Sequence, residues 1–253
     1  MTQRRFRKKT SIGAPQDDRR FDEPLYTLAE ASRYLAVPSS TFANWANGYG
    51  KPATTNRAAA KSDPIIACLP REKHGSPVIP FIGLVEGLVL AAWRQSGVPL
   101  QRIRPALQLL DQEFGLPHAL ASSRLFTDGA DILYDYAQRT SDELTGEALN
   151  ELVVVTSGQR VFNEVVNSYL KRLEFGDDPY ALRVHLPAYK LADVVVDPRR
   201  GFGQPIFKAG GARLEDALAM FQAGESLQVV ADEFEVPPDQ LEDAIRVAVQ
   251  TAA

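Results

Sequence analysis

The stretch from Phe81 to Trp93 constrains the fold more than any other part of the chain. At 3.6 residues per turn, Phe81, Ile82, Leu84, Val85, Leu88, Val89, Ala92 and Trp93 cover more than half of a helix circumference. A helix that apolar must be surrounded by protein or by lipid. Lipid is the poorer choice, because a span needs about 20 predominantly apolar residues, and this run is shorter and already holds Glu86. The stretch therefore predicts a central, buried helix. The chain as a whole can supply the surrounding layers: it has 253 residues, 45% of them hydrophobic and 24% charged, a globular profile whose length predicts one to two domains. The basic start (Arg4, Arg5, Arg7, Lys8, Lys9) precedes no apolar segment, so it reads as neither a secretory nor a twin-arginine signal. One cysteine, Cys68, cannot form an internal disulfide and fits a reducing cytoplasm, the expected location. His74, His118 and His185 lie far apart and show no metal-ligand spacing, so no metal is expected.

Around the central helix the pattern predicts a mainly α fold with short β-hairpins. Residues 1–24 lack apolar periodicity and are expected to form a basic disordered arm. Residues 25–80 form a helix-turn-helix head. Thr27-Leu28-Ala29-Glu30 has the form of a capping box. Leu28, Ala31 and Leu35 share one face of a short helix, and Ala36-Val37-Pro38 breaks it. Ser39 or Ser40 caps a second helix whose apolar side is Phe42, Trp45 and Ala46, and Gly48 stops it. Residues 49–80 read equally as a wing or a linker. Residues 81–190 are a helical middle with hairpins, expected to dimerise: a helix over 100–114, a turn over Arg124–Gly129 leading to a strand at Ile132–Tyr134, and a hairpin about Ser157-Gly158. Val161, Val165, Tyr169 and Leu173 mark a helix; short strands follow at 182–186, 194–196 and 206–207. Residues 191–253 close with helices over 214–223, 227–234 and 240–249.

The helix-pair pattern occurs at 27–47 and again at 226–250, and charge separates the two. Residues 1–62 carry 11 basic against 5 acidic side chains, a net of +6, which leaves −10 for the remainder of a chain whose total is −4. Residues 214–253 hold nine acidic side chains and one basic, Arg246. A phosphate backbone repels such a surface, so the C-terminal copy reads as a protein-contact unit. The N-terminal copy offers Ser39, Ser40, Thr41, Asn44 and Asn47 to a major groove, with Arg33, Lys51, Arg57 and Lys61 nearby for phosphates. The basic arm could follow the backbone or enter the minor groove. The plainer alternative is a solvated polar face with a solubilising tail.

Catalysis has little to stand on. There is no Gly-x-Ser-x-Gly and no P-loop; Gly201-Phe202-Gly203 lacks a third glycine and opens onto a strand. Cys68 beside Ile65, Ile66 and Leu69 reads as a small core residue, and a nucleophile pair with His74 is the weaker alternative. No catalytic residue and no cofactor are expected.

Two blocks resemble known families. Tyr26 to Ala31, Arg33-Tyr34-Leu35, Val37-Pro38, Ser40-Thr41 and Trp45 are similar to the opening helix-turn-helix of MerR-type regulators, which carry a winged head. Asp197-Pro198-Arg199, Gly203-Gln204-Pro205-Ile206-Phe207, Gly210 to Arg213 and Ala223 to Ser226 resemble the DUF433 domain, with Gly211-Ala212 where many members have Gly-Thr. This order of parts resembles a VapB-type antitoxin of a type II toxin–antitoxin pair. The resemblance implies a trihelical C-terminal domain that binds a PIN-domain ribonuclease toxin encoded next to it, and a head that binds promoter DNA to repress its own operon. It implies a homodimer or a higher hetero-oligomer with the toxin. Arg199, Arg200 and Arg213 are then candidates to face the toxin's acidic cluster, with Phe202 as an apolar anchor. Arg213 could equally hold its own loop through Glu215, and Phe207 reads better as core than as anchor. The alternatives are a stand-alone MerR-like regulator with a ligand-sensing or dimerisation body, and an adaptor that binds protein only.

Overall fold

A computed structural model describes residues 18–51, 60–115, 117–156 and 159–252. The Phe81–Gln95 helix lies at the centre of the molecule, with every residue from Phe81 to Trp93 buried. It is α4 in chain order. Before it come α1 (Arg19–Asp22), α2 (Leu28–Tyr34), α3 (Ser39–Asn47) and a short antiparallel ribbon of β1 (Gly50–Lys51) and β2 (Ala60–Lys61). This ribbon takes the position of a wing after α3. After α4 follow α5 (Leu100–Phe114), a 3-10 turn at Ala119–Ala121, a π turn at Leu125–Gly129, α6 (Ala130–Arg139), α7 (Glu143–Leu152), the hairpin β3 (Val153–Thr156) and β4 (Gln159–Phe162), and α8 (Glu164–Leu170). An antiparallel sheet comprises β5 (Leu173–Phe175), β6 (Ala181–His185), β7 (Val194–Val196) and β8 (Ile206–Phe207), in that order. The chain closes with α9 (Leu214–Gln222), α10 (Leu227–Glu233) and α11 (Pro238–Ala252).

One contiguous apolar core joins the parts: Phe42 and Trp45 of α3, all the large apolar residues of α4, Val184 and Val196 of the sheet, and Leu241 of α11 belong to it. Close approach to α4 uses its glycines. A Cβ on Gly83 would stand 2.3 Å from the carbonyl oxygen of Ala67, and one on Gly87 2.7 Å from Phe42 Cε2. The head also touches the C-terminal part directly. The buried Tyr26 hydroxyl donates to the Gly203 carbonyl at 2.7 Å, and Tyr34 Oη lies 3.3 Å from Gln204 Oε1.

Several sequence expectations fail for identifiable reasons. Neither Ser39 nor Ser40 caps the second helix: Pro38 stands at its N-cap without a side-chain hydrogen bond, and both serines lie within the helix. The disordered arm was expected to reach residue 24, but residues 18–24 are folded. Asp18 caps α1, and Arg20, 4% exposed, forks onto Asp178 at 3.0 and 2.6 Å and onto Asp18. Phe21 packs edge-on to Tyr180. The strand at Ile132–Tyr134 is instead part of α6. Ala130, Leu133 and Ala137 share a buried helical face, and this period overrides the β preference of Ile-Leu-Tyr. Gly129 does not turn the chain. It has helical angles and gives room to Phe162, whose ring a Cβ would meet at 3.2 Å. Leu173, placed on a helix face by its spacing, lies in β5, and α7 had no sequence expectation at all. The expected arm residues 1–17 and the turn at Ser157-Gly158 lie outside the described residues. Among the described residues, no helix is long and apolar enough to cross a membrane.

Candidate functional site

The capping box forms as the sequence pattern requires. The Glu30 amide donates to Thr27 Oγ1 at 3.1 Å, and Glu30 Oε2 accepts from the Thr27 amide at 2.8 Å. Leu35 to Pro38 then turns the chain, with Ala36 left-handed at φ 53° and the Val37 amide bonded to the Ser32 carbonyl at 2.9 Å. Helix α3 buries Phe42, Trp45 and Ala46. At 100° per residue, Ser40, Asn44 and Asn47 fall within a narrow stripe on the opposite side, and all three are exposed. Ser39 is exposed and Thr41 half-buried. Ser39 Oγ is tied to Ser32 Oγ at 3.0 Å, and Asn47 Nδ2 donates to the Ala43 carbonyl at 3.0 Å.

The structure does not bring every candidate DNA contact to this stripe. Arg33 lies over the Tyr34 ring, 5.6 Å from its centroid, and lines a 410 Å³ groove between α2, α9 and α11 with Glu30, Tyr34, Tyr189 and Glu215. Burial pushes the Tyr34 and Tyr189 hydroxyls each up to about 12. Lys51 ends β1, and Arg57 lies outside the described residues. The positive charge of residues 18–24 is spent internally, Arg20 on Asp18 and Asp178 and Arg19 on Glu23.

The four candidate partner contacts occupy one short region. Asp197 is buried; it accepts from Arg183 Nη2 at 3.0 Å and from the Arg199 amide at 2.9 Å, which fixes the start of the turn. Gly201, Phe202 and Gly203 are all left-handed, at φ 55°, 55° and 77°. Glycine takes this conformation freely, whereas phenylalanine does so at a cost of about 1 kcal/mol or more. The Phe202 side chain is nevertheless 79% exposed. Arg199 and Arg200 are exposed, and the Arg200 guanidinium sits over Gly211, where a Cβ would meet Nη2 at 2.4 Å. Arg213 pairs with Glu215 at 3.1 Å and Asp216 at 3.8 Å, the loop-holding alternative. Phe207 is fully buried.

A family model described as "Putative DNA-binding HTH domain" matches residues 24–107, from the head through α4 into α5. Over 228 residues, 89% of this chain and 94% of the relative, the sequence is 49% identical to "Putative antitoxin VapB45" of Mycobacterium tuberculosis. The chain belongs to the VapB45 family. It is also 27% identical over 238 residues to "Uncharacterized protein Rv2308" of the same organism, covering 88% of this chain and 90% of that one. The crystal structure of Rv2018 from Mycobacterium tuberculosis matches with a TM-score of 0.78 at 48% identity, covering 89% of this chain and 99% of that chain. The polar stripe of α3 thus stands within the residues matched by the helix-turn-helix family model.

Sequence reading missed one ionisable cluster in this VapB45-family chain. Glu86, buried in α4, bonds His118 Nδ1 at 2.8 Å and the Ala67 amide at 2.6 Å, and Asp111 lines the same cavity. A lone glutamate within an apolar helix was the available signal. Among the described residues, no group of three or more His, Cys, Asp or Glu side chains is arranged to hold a metal ion.

Proposed function

We propose that this protein is a cytoplasmic, non-enzymatic antitoxin that inhibits a PIN-domain ribonuclease encoded beside it and represses its own operon by binding promoter DNA. The observation that carries the reading is the α3 stripe of Ser40, Asn44 and Asn47, opposite buried Phe42 and Trp45, in a chain 49% identical to "Putative antitoxin VapB45". Short polar side chains on an exposed helix face suit base edges and phosphates. The MerR-like character of the head rests on its residue pattern and on the wing-like ribbon. The DUF433 character of the tail rests on its motif and on the three closing helices.

For the toxin face, the support is Phe202. A strained, exposed aromatic flanked by Arg199 and Arg200 has the composition of an interface anchor, and arginine forks suit the carboxylates that hold a divalent ion in a nuclease. Homodimerisation through the middle is supported by the β3–β4 hairpin, which exposes Val154, Val155 and Val161.

The test is co-expression with the adjacent reading frame. A stable complex that lacks ribonuclease activity and retards the promoter fragment is expected. In the full chain, Ser40→Ala with Asn44→Ala should weaken promoter binding and spare toxin neutralisation, whereas Arg199→Glu with Arg213→Glu should release ribonuclease activity and spare promoter binding. A neighbour that is not PIN-like, or failure to form a complex, refutes the antitoxin assignment.

A further inference from the structure

A cavity of about 310 Å³ opens where three elements meet: the segment after β2, the middle of α4, and the end of α5 with the turn after it. Its apolar walls are Ile65, Ile66, Leu107, Pro117 and Leu120, and Glu86, Asp111 and His118 converge on it. Volume, apolar lining and a few convergent polar groups are the ordinary constitution of a small-molecule site. The polar groups are unequally satisfied. Both oxygens of Glu86 are engaged, one by His118 Nδ1 and the other by the Ala67 amide. Asp111 accepts from the Ala119 amide at a long 3.2 Å. Burial pushes the Asp111 carboxyl up, and the neighbouring Glu86 pushes it the same way. Burial lowers His118, but Glu86 and Asp111 outweigh it and hold the imidazole above its ordinary value. With both carboxyls ionised, their two charges against one imidazolium leave a net negative charge in an apolar wall.

We propose that this cavity binds a small organic cation, an amine or amidine with a compact apolar body. Its head lies against Asp111 and its body against Ile65, Ile66 and Leu107. A neutral ligand of the same shape leaves the carboxylate uncompensated, and an anion opposes it. The wall formed by residues 64–67 connects the site to the DNA-facing helix. The Ile65 amide donates to the Trp45 carbonyl near the end of α3 at 2.8 Å. Arg104 of α5 grips the same segment, donating to the Asp63 carbonyl at 2.6 Å and to Ser62 Oγ at 3.1 Å. An occupant that braces this wall biases the placement of α3 and hence DNA affinity. That coupling rests on the proposed DNA-binding function; the site itself does not.

The experiment is isothermal titration calorimetry of the full chain with phenethylammonium chloride, against 3-phenylpropionate as the anion of similar shape. Saturable binding of one amine per chain is expected, weakened by about tenfold or more in Asp111→Asn, with the anion silent. Asn keeps the acceptor for the Ala119 amide, so its melting curve should match wild type. Leu107→Phe, which fills the cavity from its wall, provides a second variant and should also weaken binding by about tenfold or more. No saturable binding at millimolar amine, equal binding of the anion, or full affinity in both variants overturns the site. Promoter-fragment anisotropy with and without the amine tests the coupling: a shift in affinity of about threefold or more is expected, and an unchanged affinity with intact amine binding refutes it. A chain that binds no promoter but binds the amine refutes the DNA reading and leaves the cation site standing.

Discussion

Replacing Gly83 by alanine tests how the central helix supports the head. A Cβ at this position would stand 2.3 Å from the Ala67 carbonyl oxygen, 3.2 Å from its carbon and 3.3 Å from Ile79 Cγ2. The first two neighbours are backbone, so no side-chain rotation relieves them. They also belong to the segment held by Trp45, Glu86 and Arg104. Overpacking of this kind costs about 3 kcal/mol at the upper end of its usual range. Alanine returns about 1 kcal/mol through helix propensity. A net loss of about 2 kcal/mol remains, which lowers the melting temperature by about 4–8 °C in a chain of this size. Thermal unfolding followed by circular dichroism is the assay, with Gly75→Ala as control. Gly75 is left-handed at φ 82° with nothing within 4 Å of its Cβ, so it reports backbone strain alone. A Gly83→Ala protein that melts at or above wild type would refute the claim that α4 sets the position of the 64–67 segment by backbone contact.

Arg20→Met should cost about 1.5–3 kcal/mol, because it removes the charge-assisted hydrogen bonds to Asp18 and Asp178 and leaves those two part-exposed carboxylates facing each other; urea unfolding that shifts by less than about 1 kcal/mol would show that the N-terminal anchor is dispensable. Asp243→Ala should cost about 2 kcal/mol, since its Oδ2 accepts from three consecutive amides, Lys190, Leu191 and Ala192, at 2.8, 2.8 and 3.0 Å. Burial pushes the Asp243 carboxyl up, but those three donors outweigh it and hold it below the ordinary value. Its contribution is therefore complete above the unfolded-state value and is lost as pH falls through the folded one. The stability gap between wild type and Asp243→Ala should narrow in acid, and a gap constant to the lowest pH at which the protein folds would sink the argument. Phe202→Ala should change stability by less than about 0.5 kcal/mol, because the ring is exposed, while weakening the toxin complex by about tenfold; surface plasmon resonance showing unaltered affinity would remove Phe202 from the interface.

Elements with a strong period or an unambiguous cap could be read from the sequence. The α4 stretch, the Thr27–Glu30 box and the α3 amphipathicity each rest on contacts within one turn or one helix, where spacing alone decides. Residues 132–134 read as a strand because Ile132-Leu133-Tyr134 favours one locally, and packing of α6 against α7 and β4 selects the helix. The N-terminal boundary was misplaced for a related reason. Arg20 looked like one more solvated charge, and its partner Asp178 lies 158 residues away. Much of the polar stripe on α3 could be read in advance, but the Arg33 side chain could not be placed, because the groove it lines is built by the tail. The cluster of Glu86, Asp111 and His118 joins three segments with no shared motif.

Tyr26 provides the final consequence. Its hydroxyl is spent on the backbone of Gly203, where a Cβ would meet Leu25 Cδ1 at 2.9 Å and the Tyr26 hydroxyl at 3.3 Å. The first apolar residues of the head and the turn that presents Phe202 are therefore one joint. A cut between head and tail would strip that joint from both pieces, so neither can be expected to survive as a working half. Whatever removes folded chains from the cell then withdraws the two proposed activities in the same proportion.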